Sequence, residues 1–312
     1  MRGVTAPLSY MTGGSVSDCR KRQDGATSMP DFPIIDTHVH LYDVKRLRYG
    51  WLAAVPKIDR THVMKDFDAA RGAVQVDKLV FAEVWVDPGL HMEEARFVQE
   101  MADADPRLCG MVAHLPVEKG AKAIEADLIA LEKHRTFRGI RRLIEIERDY
   151  SFCLEPGFVE GVKLVGGRGH SFDICVKHWG LVFAIELARR CPDVPFVLDH
   201  IGKPGIKHGL REPWWGQMRE LARLPNVVVK LSGVITEADH AHWTAEQVKP
   251  YVAHAIECFG FDRTMYGSDW TVSELTHRYP QWVEILDEVI AGASAAEKKK
   301  LYRDTARRVY RL

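Results

Sequence analysis

Phe32-Pro33-Ile34-Ile35-Asp36-Thr37-His38-Val39-His40 reads as a short apolar strand that ends in two histidines. Side chains alternate along a strand, so His38 and His40 point to one side. They stand roughly 6–7 Å apart along the backbone, at about 3.3 Å of rise per residue. Two imidazoles that close can converge on one ion, each at about 2.0–2.1 Å for zinc. A bare His-x-His pair is common and alone reads more readily as two polar residues at a strand end, so the choice rests on what later segments bring to the same place.

From residue 33 onward the chain alternates strand-like and helix-like segments. Stretches rich in β-branched residues run over Ile34–His38, Lys78–Val84, Leu108–His114, Arg138–Ile144, Phe172–Lys177, Pro195–His200, Val227–Ser232 and Arg263–Asp269. Helical spacing of apolar residues is read over Met92–Ala102, Ala121–His134, Trp179–Arg190, Trp215–Leu224 and Ala245–Phe259. Pro106, Pro192 and Pro225 mark three helix ends. Eight strands alternating with helices predict an α/β fold, a closed parallel (β/α)8 TIM barrel over 31–312. An open doubly wound sheet shares the pattern, but no Gly-x-Gly-x-x-Gly turn follows the first strand. Gly166-Gly167-Arg168-Gly169 precedes a strand and reads as an active-site loop or a plain turn. Residues 1–30, rich in Gly, Ser and Thr, read as a flexible N-terminal tail, and Met29 leaves a shorter start open.

The chain has 312 residues, ample for one large barrel core. Its 43 basic and 43 acidic residues balance, which argues against bulk attraction to nucleic acid or a membrane. No run approaches the roughly 20 apolar residues of a membrane span, and no apolar stretch of signal-peptide type opens the chain. Six cysteines with no Cys-x-x-Cys pair suit a reducing compartment, so the expected location is the cytoplasm.

In a parallel barrel, reactive groups gather at the carboxyl ends of the strands. His38, His40, Glu83, His114, Arg141, Lys177, His178, His200, Ser232 and Asp269 all fall at or near such ends. Hydrolysis explains why these residue types are useful. The gap from bulk water, pKa about 15.7, to a carboxylate, about 3.9, is some 12 units, or about 16 kcal/mol. A bound zinc ion lowers the water pKa to about 7; alternatively, Asp269 takes the proton only as the water attacks, which suffices for an activated acyl group. Asp199 and His200 are expected to face opposite ways on a strand, so they are not read as a dyad. Glu83 sits in an apolar strand and wants a partner, either a metal or the Arg141 guanidinium. Arg141 is read as entering the barrel, where it can polarise an ester carbonyl. Lys177, His178 and His114 are expected to hold substrate oxygens, and Trp51 to wall the pocket.

Taken together, six stretches in order resemble the amidohydrolase superfamily: Ile35-Asp36-Thr37-His38-Val39-His40-Leu41, Tyr49-Gly50-Trp51-Leu52, Arg138-Gly139-Ile140-Arg141, Val197-Leu198-Asp199-His200-Ile201-Gly202-Lys203-Pro204, Val229-Lys230-Leu231-Ser232-Gly233 and Tyr266-Gly267-Ser268-Asp269-Trp270. The likeness covers about residues 33 to 312 and points to the branch of sugar lactonases and 2-pyrone-4,6-dicarboxylate lactonases. The resemblance implies a distorted TIM barrel that hydrolyses lactones, with His38, His40 and His200 as a polar floor, Asp269 activating water and Arg141 engaging substrate. Some members of that branch use a divalent metal and others work without one. The metal-binding histidine usual at the end of strand five is not clearly placed. Lys177 occupies that strand and His178 is one residue out of phase, which argues against a two-metal centre. Glu83 is not general in the branch and is read as replacing a missing ligand. Thr271 stands where a proline often follows the Asp-Trp pair.

The expectation is therefore a lactonase in which Asp269 and His200 are catalytic. One divalent ion, zinc by donor type, is expected among His38, His40, Glu83, His200 and Asp269, with the metal-free route open. The partner is a small-molecule lactone, and a homodimer is left open. Two other readings compete: a metal-dependent decarboxylase of an aromatic or unsaturated acid, and a binding protein that keeps the pocket without turnover.

Overall fold

The computed structural model describes residues 30–312; the expected tail over 1–30 lies, apart from Pro30, outside the described residues. Eight parallel strands form one sheet in sequence order: β1 Ile34–Val39, β2 Val76–Ala82, β3 Leu108–His114, β4 Phe137–Leu143, β5 Ser171–Cys175, β6 Phe196–Leu198, β7 Val227–Leu231 and β8 Thr264–Tyr266. The sheet curls back on itself. A parallel bridge joins Val39 to Trp270, Asp269 N donates to His38 O at 2.9 Å, and His40 N donates to Trp270 O. The result is the expected (β/α)8 barrel, and the doubly wound alternative is excluded.

Around the strands lie α1 Met64–Arg71, α2 His91–Ala104, α3 Ala121–Leu131, α4 Pro156–Gly167, α5 Leu181–Arg190, α6 Trp214–Ala222, α7 Ala245–Phe259 and α8 Tyr279–Val289, followed by α9 Ala295–Lys299 and α10 Thr305–Tyr310. The five helices read from periodicity are all present. α4 escaped that reading because four of its twelve residues are glycine, each costing about 1 kcal/mol in a helix. Packing explains one of them: a Cβ on Gly161 would meet Val117 O at 2.3 Å, so the helix can lie against the chain after β3 only with no side chain there. Gly166 and Gly167 close α4 and Gly169 lies in the turn before β5. The Gly-rich segment is thus a plain turn at the amino end of the barrel, away from the strand ends that carry the site.

The barrel interior is layered. Ile35, Val80, Val112, Val197, Val228 and Met265 fill the lower layer, and Ala306 and Tyr310 of α10 plug it from beneath. Above it, five buried charged side chains alternate in sign. Lys230 Nζ lies 2.7 Å from Asp173 Oδ2 and 3.0 Å from Asp199 Oδ1. Arg141 Nη1 lies 3.2 Å from Asp199 Oδ2, and Arg141 Nε 2.8 Å from Glu83 Oε1. Removing one partner of such a buried pair strands the other charge, a penalty of about 3–5 kcal/mol. The top layer holds His38, His40, His200 and Asp269.

Candidate active site

Three strand ends and the barrel seam bring the imidazoles to one carboxylate. A register shift against β2 falls between Asp36 and Val39, where bulges re-aim side chains. His38 Nε2 and His40 Nε2 end 3.2 Å apart. Asp269 Oδ1 lies 3.2 Å from His40 Nε2, 3.7 Å from His38 Nε2 and 4.0 Å from His200 Nε2. The far ring nitrogens are tied back: His40 Nδ1 to Ala82 O at 3.0 Å and His200 Nδ1 to Ser232 Oγ at 2.9 Å. Both Nε2 atoms are thereby aimed at the centre.

His200 arrives by a route that strand alternation does not describe. β6 ends at Leu198, and His200, Ile201 and Lys203 take left-handed backbone with φ of 55°, 48° and 46°. Asp269 (φ 59°) and Trp85 (φ 50°) do the same after β8 and β2. Such conformations cost on the order of 1–3 kcal/mol each outside glycine and cluster at functional sites. The expectation that Asp199 and His200 face apart is corrected on this ground. Asp199 reaches His38 Nδ1 at 3.3 Å from below while His200 joins Asp269 above.

Electrostatics fix the charge states. Burial alone would raise the Asp269 carboxyl, but His200, His40 and His38 outweigh it and hold it below the usual carboxylate range. Burial lowers His200 to about 4 despite the nearby Asp269, and holds His38 well below its usual value despite Asp199. At neutral pH the floor is an ionised carboxylate facing uncharged His38 and His200. Burial would also raise Asp199, yet Lys230, His38 and Arg141 hold it well below its usual value.

These groups open on a cavity of about 220 Å³ whose lining includes His40, Trp51, Arg141, His200, Asp269 and the pair Glu145–Lys203. Ligand pockets commonly run to roughly 300–1,000 Å³, so this one suits a single small ring. Trp51 walls it, held by Nε1–H donation to Val84 O at 2.8 Å. Arg141 has five N–H donors. Glu83, the Glu83 carbonyl, Asp199 and His38 engage at most four of them, leaving one for the cavity.

Not every expected residue comes here. Glu83, expected as a ligand, is committed elsewhere: Oε1 pairs with Arg141 and Oε2 accepts from Trp85 N at 2.7 Å. Lys177 leans toward Glu237 at 3.8 Å, and His178 Nδ1 lies 3.0 Å from Lys203 O. Neither lines the cavity, because β5 ends at Cys175 and the chain turns outward at His178–Gly180. His114 lines a neighbouring pocket with His91 and Arg142, separated from the first by a wall of Trp85, Leu143 and Ile146. Sequence reading gave no role to Lys203, Glu145, Asp173 or Lys230. The last two carried the signal that singled out Glu83, a charge inside an apolar strand.

The donors fit a metal. His38, His200 and Asp269 each offer one ligand atom, and these lie within 4.8 Å of one another. With His40 adjacent, the set is three imidazoles and a carboxylate, the N/O chemistry zinc takes. Among the described residues no helix is long and apolar enough to cross a membrane.

The family model described as amidohydrolase matches residues 35–312. An uncharacterized protein of Sinorhizobium fredii is 31% identical over 304 residues, covering 91% of this chain and all of the relative. L-Fucono-1,5-lactonase of Burkholderia multivorans is 28% identical over 291 residues, covering 89% of this chain and 96% of the relative. The crystal structure of an amidohydrolase from Burkholderia multivorans with bound zinc superposes with a TM-score of 0.81 at 26% identity, covering 90% of this chain and 100% of that one.

A Cβ at Gly233 (φ +54°) would lie 2.5 Å from His200 Nδ1 and 2.6 Å from Asp269 Oδ2. Gly233→Ala is expected to push both groups off line and lower kcat/KM by about 100-fold, as misplacements near 1 Å do. Kinetics beside circular dichroism check this; near-normal turnover in a folded variant would show that the placement of His200 and Asp269 is not critical.

Proposed function

The chain belongs to the amidohydrolase family, and we propose that within it this protein is a hydrolase that opens lactone rings. The observation that carries the reading is the ionised Asp269 carboxylate, ringed by imidazoles at the floor of a small cavity beside a guanidinium. The L-fucono-1,5-lactonase to which the chain is similar supports the substrate class.

A lactone enters with its carbonyl toward Arg141, whose free N–H polarises the oxygen. Water held at Asp269 attacks the carbonyl carbon. Asp269 takes the proton only as the C–O bond forms, because a carboxylate of depressed basicity cannot deprotonate free water. The oxyanion rests against the Arg141 donor. Collapse breaks the ring C–O bond, Asp269 returns the proton to the leaving alkoxide, and a hydroxy acid departs. His38, His40 and His200 surround Asp269 and hold it in place. A divalent ion, zinc by donor type, would be held by His38, His200 and Asp269 with His40 adjacent, and would supply a more acidic water and a polarised carbonyl.

Asp269→Asn is expected to lower kcat/KM for lactone opening by about 10²–10⁴-fold, the usual worth of a general base, with the circular dichroism spectrum unchanged. Full turnover in this variant would remove Asp269 from the chemistry. Carbon dioxide release from an unsaturated acid, with no lactone opened, would favour the decarboxylase instead.

The pH profile follows from the charge states. A base with a lowered pKa stays ionised until the pH falls through that value, and His200 charges only near 4. In metal-free enzyme, Asp269, His38 and His200 are therefore expected to add no limb to kcat/KM between about pH 5 and 8. A limb near 6.5 would assign the base to an imidazole.

Elemental analysis is expected to find about one zinc per chain in enzyme purified without chelator, and none in a variant with His38 and His200 both changed to Asn. Equal metal content in the two would place the ion elsewhere.

A further inference from the structure

The cavity wall carries a second acid–base pair that the reaction above does not use. Both Glu145 and Lys203 line the cavity. Lys203 Nζ donates to Glu145 Oε1 at 2.6 Å and to Oε2 at 2.7 Å. The pair is largely shielded, with side chains 16% and 15% exposed. Lys203 reaches this position only through its left-handed backbone after β6, and Glu145 comes from the turn after β4. Cys175 Sγ donates to Glu145 Oε1 at 3.4 Å, so the carboxylate is engaged on a second side.

A charge count around the cavity gives this pair its consequence. Arg141 is matched by Glu83 and Asp199. Lys203 is matched by Glu145. Asp269 adds a further negative charge at the floor, and Lys177, just outside, leans on Glu237. Among the described residues, every lysine or arginine facing the cavity is already matched by a carboxylate. A ligand carboxylate entering here would meet no free cation among the described residues and would face Asp269 and Glu145, where like charges repel. An uncharged ring with hydroxyl groups meets the opposite situation, since the pair offers a third ammonium N–H and spare carboxylate lone pairs side by side.

We infer that Glu145 is a specificity-determining residue: by occupying the Lys203 ammonium it makes this a cavity for uncharged lactones and rejects carboxylated ones. This rests on the lactone reading above and adds to it which charge the ring carries and which residue decides that. Lys203 freed of Glu145 becomes an anion-binding ammonium at the same wall.

The test uses a panel of lactone pairs, each an uncharged ring and the same ring carrying a carboxylate, for example γ-butyrolactone with a hydroxymethyl or a carboxylate substituent. Wild-type enzyme is expected to show kcat/KM at least about tenfold higher for the uncharged member, the size of one charged hydrogen bond. Glu145→Gln should raise kcat/KM for the carboxylated member about tenfold, and adding Lys203→Met should remove that gain. Should Glu145→Gln fail to fold, Lys203→Met alone reads the same contrast. It leaves Glu145 unmatched, so the carboxylated member should lose more activity than the uncharged one. Equal use of both members by wild-type enzyme would overturn the inference and leave lactone opening standing. So would a preference that neither substitution moves. Failure of wild-type enzyme on every pair would instead overturn the lactone reading itself.

Discussion

The hydrogen bond from Asp269 N to the His38 carbonyl is the contact on which the site depends. It belongs to the seam where the last strand meets the first, together with the bridge from Val39 to Trp270. Parallel strands cannot be joined by a tight turn, so a barrel closes only when the final strand finds the first after every crossover is in place. Closure and assembly of the site are therefore one event. Residues 231 positions apart in sequence, His38 and Asp269, come to share a cluster because the backbone that carries them is the backbone that closes the sheet.

Beneath the cluster, the alternating chain Asp173–Lys230–Asp199–Arg141–Glu83 gives the upper barrel a polar foundation where the lower barrel has apolar packing. Each charge lies too deep for water to stabilise, so each depends on its neighbours. This arrangement also explains Arg141 at the cavity. Two carboxylates hold the guanidinium rigid and leave little of its donor capacity free, so what it presents to a substrate is fixed in direction. His38 is sandwiched likewise, with Asp199 and Lys230 at 3.3 and 3.4 Å from Nδ1 and Arg141 at 3.2 Å from Nε2.

Much of the architecture was legible because barrel strands repeat a local signal. Ile34 to Val39, Leu108 to His114 and Val227 to Leu231 are short β-branched or apolar runs with polar residues at their carboxyl ends, and all three are strands at nearly the expected bounds. Helix α7 matched its reading throughout, because Thr244 caps it and Gly260 follows it. What failed was local alternation past a strand's end. β5 and β6 stop at Cys175 and Leu198, so side chains beyond them follow loop geometry. That is why Lys177 and His178 turn away, and why Asp199 and His200 both join the site.

The sequence by itself determined the barrel, the seam histidines and Asp269, because hydrophobic period and strand-end position are properties of neighbouring residues. Only the tertiary structure decided that Glu83 serves Arg141 and that Lys203 meets Glu145 at the cavity wall. The physical reason is that a buried charge takes whichever opposite charge the closed barrel brings within about 3 Å, and no reading of adjacent residues contains that distance.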